Sequence, residues 1–164
     1  MRVERQIHMN FKGAVEQTPD VKDAWRPGLQ ALRAEDRPHV VAEDTRNLRG
    51  SADIDGALMG NEPNSNRWDF GIGYQHEDQE NEVIYWTEMH TASDSQVSVV
   101  IKKAQWLVNW LKTRAPKLRA FENDIVWVSS GATSMTLSSP KQKLMAQVGL
   151  RHVGSKLRIK NKRG

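Results

Sequence analysis

Cysteine is absent from these 164 residues. That excludes disulfides, thiolate metal sites and a Cys nucleophile, and makes a reducing, cytoplasmic setting the expectation. No stretch of about eighteen apolar residues occurs, so no membrane-spanning helix is expected. The first thirteen residues lack the apolar core of a signal peptide. Ser129-Ser130-Gly131 lacks the G-x-S-x-G frame of a nucleophile elbow and reads as a turn. His8, His39, His76 and His152 stand at no metal-ligand spacing and receive no role.

Large side chains are present all the same. Six Trp accompany three Phe and two Tyr, and 38% of residues are hydrophobic, enough to fill one core in a chain of this length. The charge is unevenly placed. Residues 151–164 hold six basic side chains and no acid, so with +4 overall the first 150 residues sum to −2. We therefore read residues 1–150 as a single α/β domain, with residues 1–17 partly disordered for want of periodicity. Residues 151–164 read as an edge strand with a basic tail. Lys156, Arg158, Lys160, Lys162 and Arg163 are candidate nucleic-acid contacts through counterion release, beside the equal alternative of a solvated terminus.

Thr18-Pro19-Asp20 resembles a helix start, and two short helical pieces are expected to end near Ala34, broken at Pro27-Gly28. His39–Ala42 is a brief strand candidate. Strands are then expected at Ala52–Met59, Arg67–Tyr74 and Glu82–His90, joined by turn-rich segments into an antiparallel meander. The acidic turn holding Glu77, Asp78, Glu80 and Glu82 reads as a solvated tip. Ser93 with Gln96 forms a capping box ahead of Val97, Val100, Ile101, Ala104, Leu107, Val108 and Leu111 at helical spacing. Asp124–Ser129 is a compact apolar strand, and its helical crossover allows it to lie parallel in a mixed sheet. A helix from Ser139 to Gly149 and an edge strand over Leu150–Ile159 complete an α/β order with helices covering a mixed sheet.

Strand alternation decides which side chains can cooperate. Ile84, Trp86, Glu88 and His90 share one face, as do Asp69, Gly71 and Gly73. A hairpin symmetric about Asp78–Gln79 sets Asp69 directly against Glu88, with Cβ atoms roughly 5 Å apart. Opposed carboxylates repel, and a divalent cation resolves the conflict. The glycines are expected to leave that face open to a substrate. A second hairpin centred near Pro63 places Asp55 opposite Gly71, joining Asp55, Asp69, Glu88 and His90 in one patch. The alternative is a set of polar positions on a solvated sheet face.

Asp69 followed by Glu88-Met89-His90 resembles the PD-(D/E)XK nuclease pattern, an acid on one strand preceding E-x-K on the next. The resemblance spans roughly residues 20–130 and implies an α-β-β-β-α-β core of the restriction-endonuclease-like kind. It implies Mg²⁺ (or Mn²⁺) held by Asp69 and Glu88, with Asp55 beside them, and phosphodiester hydrolysis in DNA or RNA. Asp69, Glu88 and His90 are the candidate catalytic residues. His90 stands where the family has lysine, and an imidazole can bind metal or act as a base. Lys102 and Lys103 are candidates for a displaced lysine, and Glu35 or Glu43 for an acid from the first helix.

Two other readings accompany this one: an inert nuclease-fold protein that binds nucleic acid or a protein, and a protein-interaction subunit with an exposed patch at Trp25 or Trp68. A homodimer or larger assembly is compatible with all three.

Overall fold

The computed structural model describes residues 9–131 and 135–164. The disorder expected over the first eight residues lies outside them. The elements in chain order are α1 (Phe11–Glu16), β1 (Trp25–Arg26), β2 (Val40–Ala42), β3 (Leu48–Asp53), α2 (Ile54–Leu58), β4 (Phe70–Tyr74) and β5 (Val83–His90). They continue with α3 (Asp94–Thr113), α4 (Pro116–Arg119), β6 (Glu122–Ser129), α5 (Ser139–Val148), β7 (Leu150–His152) and β8 (Leu157–Ile159). Six strands form one sheet in the order β1-β3-β4-β5-β6-β7. The first three pairings are antiparallel and the last two parallel, so the sheet is mixed. The α-β-β-β-α-β order expected of a restriction-endonuclease-like core is present. Among the described residues no helix is long and apolar enough to cross a membrane.

Strand alternation divides the interior into two cores. Ile84, Trp86, Ile125 and Trp127 project to one face, where Phe11 of α1, Leu107 and Trp110 of α3, Leu118 of α4 and Met145 of α5 cover them. Ile72, Tyr74, Tyr85, Val126 and Val128 project to the other. There β2 and β8 pair in parallel as a separate two-stranded ribbon, and Val40, Leu157 and Ile159 close that core. Short 3-10 turns at Arg37–His39 and Thr45–Asn47 flank β2, so helical segments lie on both faces with unequal weight.

Several local expectations are corrected. Residues 11–16 form α1 because the Asn10 side chain caps the Gly13 N–H and Phe11 is wholly buried. The helical pieces expected between Thr18 and Ala34 reduce to a 3-10 turn at Pro19–Val21 and the two residues of β1. The strand expected at Ala52–Met59 instead ends at Asp53, whose side chain accepts from the Gly56 N–H at 2.8 Å and starts α2. The edge strand expected over Leu150–Ile159 splits between β7 on the main sheet and β8 on the ribbon. The acidic turn is exposed at Glu77, Asp78 and Glu80, as expected of a solvated tip, yet it is anchored: Asp78 accepts from the backbone of Arg163 and Gly164, and half-buried Glu82 from that of Phe11.

The glycines of β4 are packed rather than open. A Cβ on Gly71 would lie 2.7 Å from Cζ3 of Trp86, and one on Gly73 would lie 2.7 Å from the ring of Phe11. The Trp86 indole is fixed by its Nε1 bond to Asn123 at 2.7 Å and by an edge contact with Trp110, so it has little room to yield. Gly71→Ala is therefore expected to destabilise the fold by about 1–3 kcal/mol through overpacking, read as a lower denaturation midpoint at unchanged slope. An unshifted midpoint would contradict this packing.

Candidate active site

The β4–β5 register runs from Phe70 opposite Thr87 to Tyr74 opposite Val83, in agreement with the turn-centred expectation. Carried one residue outward, it sets Asp69 against Glu88. Each acid is held by the other's strand. Glu88 Oε1 accepts from the Asp69 N–H at 3.2 Å, and Asp69 Oδ2 accepts from the Met89 N–H at 2.9 Å. The Asp69 carbonyl in turn accepts from Ile54 and Asp55 N–H groups at the start of α2. These bonds fix two carboxylates that would otherwise separate.

Both acids are withdrawn from water: Asp69 is 9% exposed and Glu88 is 0%. The charge that balances Glu88 comes from α3. Lys103 Nζ lies 2.6 Å from Glu88 Oε2, while the adjacent Lys102 is exposed. One lysine serves two acids. Burial, followed by the nearby negative charge of Glu88, raises the Asp69 carboxyl to a pKa of about 7, against the opposing pull of Lys103.

His90 ends β5 on the same face. Its Nε2 lies 2.7 Å from Gln96 Oε1, an acceptor that calls for hydrogen on Nε2. Its Nδ1 lies 3.6 Å from Glu88 Oε2, and that carboxylate raises the imidazole pKa. The sequence pattern assigned Gln96 to a capping box; its side chain instead orients His90. Ser93 occupies the N-cap position without a side-chain cap bond.

Asp55 does not join the cluster. The register places Ala52, not Asp55, opposite Gly71, because α2 begins three residues earlier than a strand would turn. Asp55 pairs with Arg67 at 2.9 Å. Glu35 is exposed, and Glu43 accepts from the Asn161 N–H beside the ribbon, so neither reaches Asp69. Arg33, which sequence reasoning passed over, lies close enough to Asp69 to favour its ionised form.

The basic residues occupy another part of the molecule. Lys156, Arg158, Lys160 and Lys162 are exposed on and around β8, and Arg163 is partly buried against Glu122 and Asp124. Trp68 is wholly buried and Trp25 packs beneath Lys12, so neither forms the exposed patch expected of an interaction subunit.

Among the described residues no three His, Asp or Glu side chains converge as a ready metal cage. The donor set nevertheless suits a hard cation: two carboxylates share one ammonium, and Mg²⁺ is commonly held by one or two carboxylates completed by water and phosphate. Comparisons with protein-family models, curated proteins and solved structures return no match. The fold thus resembles the restriction-endonuclease-like arrangement in general order only.

Proposed function

We propose that this chain is a divalent-metal-dependent nuclease that hydrolyses phosphodiester bonds in DNA or RNA at the Asp69–Glu88–Lys103 cluster. The observation that carries this reading is the opposition of two buried carboxylates across β4 and β5, with a single lysine 2.6 Å from one of them. With Asp69 and Glu88 ionised and His90 neutral, such a set is one positive charge short of neutrality. Asp69 and Glu88 would hold Mg²⁺ or Mn²⁺, and Asp55 could join them only by leaving Arg67. The ion supplies Lewis-acid polarisation of a phosphate oxygen and a more acidic water.

The chain's own groups divide the remaining work. Gln96 accepts from the Nε2–H of His90, so in the neutral imidazole Nδ1 is the lone pair that would take a proton from the attacking water. Lys103, 2.6 Å from Glu88, takes the place of the missing E-x-K lysine, which the resemblance gives a part in activating the water. The basic residues of β8 contact the substrate backbone without regard to sequence.

A second reading, an inert nuclease-fold binder of nucleic acid, draws on the complete burial of Glu88 and its existing partners. Incubation of the purified chain with plasmid, single-stranded DNA and RNA, with Mg²⁺ or Mn²⁺ and with chelator, separates the two. Metal-dependent cleavage is expected, with Asp69→Asn and Glu88→Gln each slowing it about a hundredfold or more while circular dichroism shows a retained fold. Binding without cleavage selects the inert reading. Cleavage undiminished in both variants would remove the cluster from the chemistry.

A further inference from the structure

Beneath the sheet, on the face away from Asp69 and Glu88, lies a concavity of about 370 Å³, lined in part by the same basic residues, that takes no part in the chemistry at the acid cluster. Three separate parts of the chain meet there. His76 comes from the turn after β4, Tyr85 and Asp124 from neighbouring positions on β5 and β6, and the basic side chains from β7 and the residues from β8 onward. Alternation in β8 sends Leu157 and Ile159 into the second core, so Arg158 and Lys160 face outward, and Lys162 continues on their side.

The cations of this concavity are of two kinds. Arg151 is committed to Asp124 through bonds of 3.1 and 2.8 Å, and Arg163 to Glu122. Arg158, Lys160 and Lys162 have no acidic partner among the described residues. Like charges brought together without acids repel one another, and an anion relieves them.

A second observation is independent of charge. His76 is 2% exposed, and its Nε2 lies 2.7 Å from the Tyr85 hydroxyl, yet its buried Nδ1 has no partner. Buried polar atoms are rarely left unmatched. When the Tyr85 hydroxyl donates to Nε2, the imidazole hydrogen resides on Nδ1 and is an unmatched donor on a residue lining the concavity.

We infer that this concavity is a phosphate-binding site, in which Arg158, Lys160 and Lys162 supply charge and the Nδ1–H of His76 supplies a further donor. The number of converging donors exceeds what one carboxylate accepts and suits the several oxygens of a phosphate group. Two sources carry that chemistry, a free nucleotide and the phosphorylated end of a polynucleotide. The path of the chain accommodates the second. The segment enters beside the strand ends that bear His90, where the Ser129 N–H bonds Gly154, and leaves at the opposite end, where Arg163 meets Glu122. Arg158, Lys160 and Lys162 follow one another along that path. The site stands whether or not the acid cluster is catalytic.

The test titrates the full chain, in chelator to prevent hydrolysis, with inorganic phosphate. The same oligonucleotide then follows with a 5′-phosphate and with a 5′-hydroxyl. Nitrogen-detected NMR of the histidine side chains gives the readout. Saturable binding is expected to move the His76 ring signals and leave those of His152 in place. Replacing Arg158, Lys160 and Lys162 together with alanine, all exposed, is expected to weaken phosphate binding about tenfold or more. Lys143→Ala, exposed on α5 and outside the concavity, is expected to leave it unchanged. Tighter binding of the phosphorylated oligonucleotide than of phosphate or its hydroxyl twin assigns a polynucleotide end; equal affinity for phosphate and the phosphorylated strand assigns a free nucleotide. Non-saturating binding, an unmoved His76, or an equal loss in Lys143→Ala would overturn the site in favour of diffuse attraction. None of these outcomes depends on whether cleavage occurs.

Discussion

Lys103→Met is expected to abolish hydrolysis and to destabilise the fold by on the order of 3 kcal/mol, because it strands a buried carboxylate. Methionine preserves the unbranched stem and suits a helix, so the change is confined to the charge. Glu88 is wholly buried, and after Lys103 the nearest group able to take up positive charge is the His90 imidazole, its Nδ1 3.6 Å away. Adding Glu88→Gln should restore most of the stability, since a neutral amide needs no counter-ion, while activity stays lost. The double-mutant cycle therefore separates the structural role of the pair from its chemical one. Lys102→Met, one residue away and exposed, should fall within about 0.5 kcal/mol of the native protein. A Lys103→Met protein that still cleaves at the native rate would make the lysine a structural counter-ion only.

The features legible in the sequence were those set by one local pattern. The polar turn between β4 and β5 has a clear centre, so the register and the opposition of Asp69 to Glu88 followed from counting. The helix α3 followed from its apolar period. Helical spacing could not choose between Lys102 and Lys103, because the choice depends on how α3 docks against β5. The Asp53–Gly56 spacing that starts α2 was present, yet the preceding residues suit a strand, and reading on through them displaced Asp55 by three positions. Gly71 and Gly73 looked like room for a substrate; the space is taken by Trp86 and Phe11, partners that alternation alone does not supply. The acidic turn and the basic C-terminal segment are more than eighty residues apart in sequence, and their docking through Asp78 carries no local signal. His76 stands at no metal-ligand spacing, and its burial beside Tyr85 is a tertiary contact that spacing does not carry.

Stability is expected to fall as pH rises from about 4 to about 7, with Asp69 as the cause. An unfolded chain releases this proton near pH 3.9, whereas the folded site holds it to about 7. Across that interval the native state binds the extra proton, so each pH unit removes up to about 1.4 kcal/mol from the unfolding free energy, and above pH 7 the full penalty is present. Asp69→Asn removes the titration while keeping a carbonyl to accept from Met89. At pH 8 the variant should be the more stable protein by up to about 4 kcal/mol, with the difference vanishing toward pH 4. A variant that loses activity and gains stability is the signature of a site held in an unfavourable charge state for function. Mg²⁺ should supply the missing positive charge, raising the native Tm at pH 8 by ligand linkage but leaving it unchanged at pH 5, where Asp69 remains protonated. The Asp69→Asn variant should lose most of that metal response. Denaturant titrations of both proteins at several pH values, with Mg²⁺ and with chelator, measure all of these terms. A native stability that is flat between pH 4 and 8, or an Asp69→Asn variant less stable at pH 8, would mean that the carboxylate is comfortable where it lies and has no need of an ion.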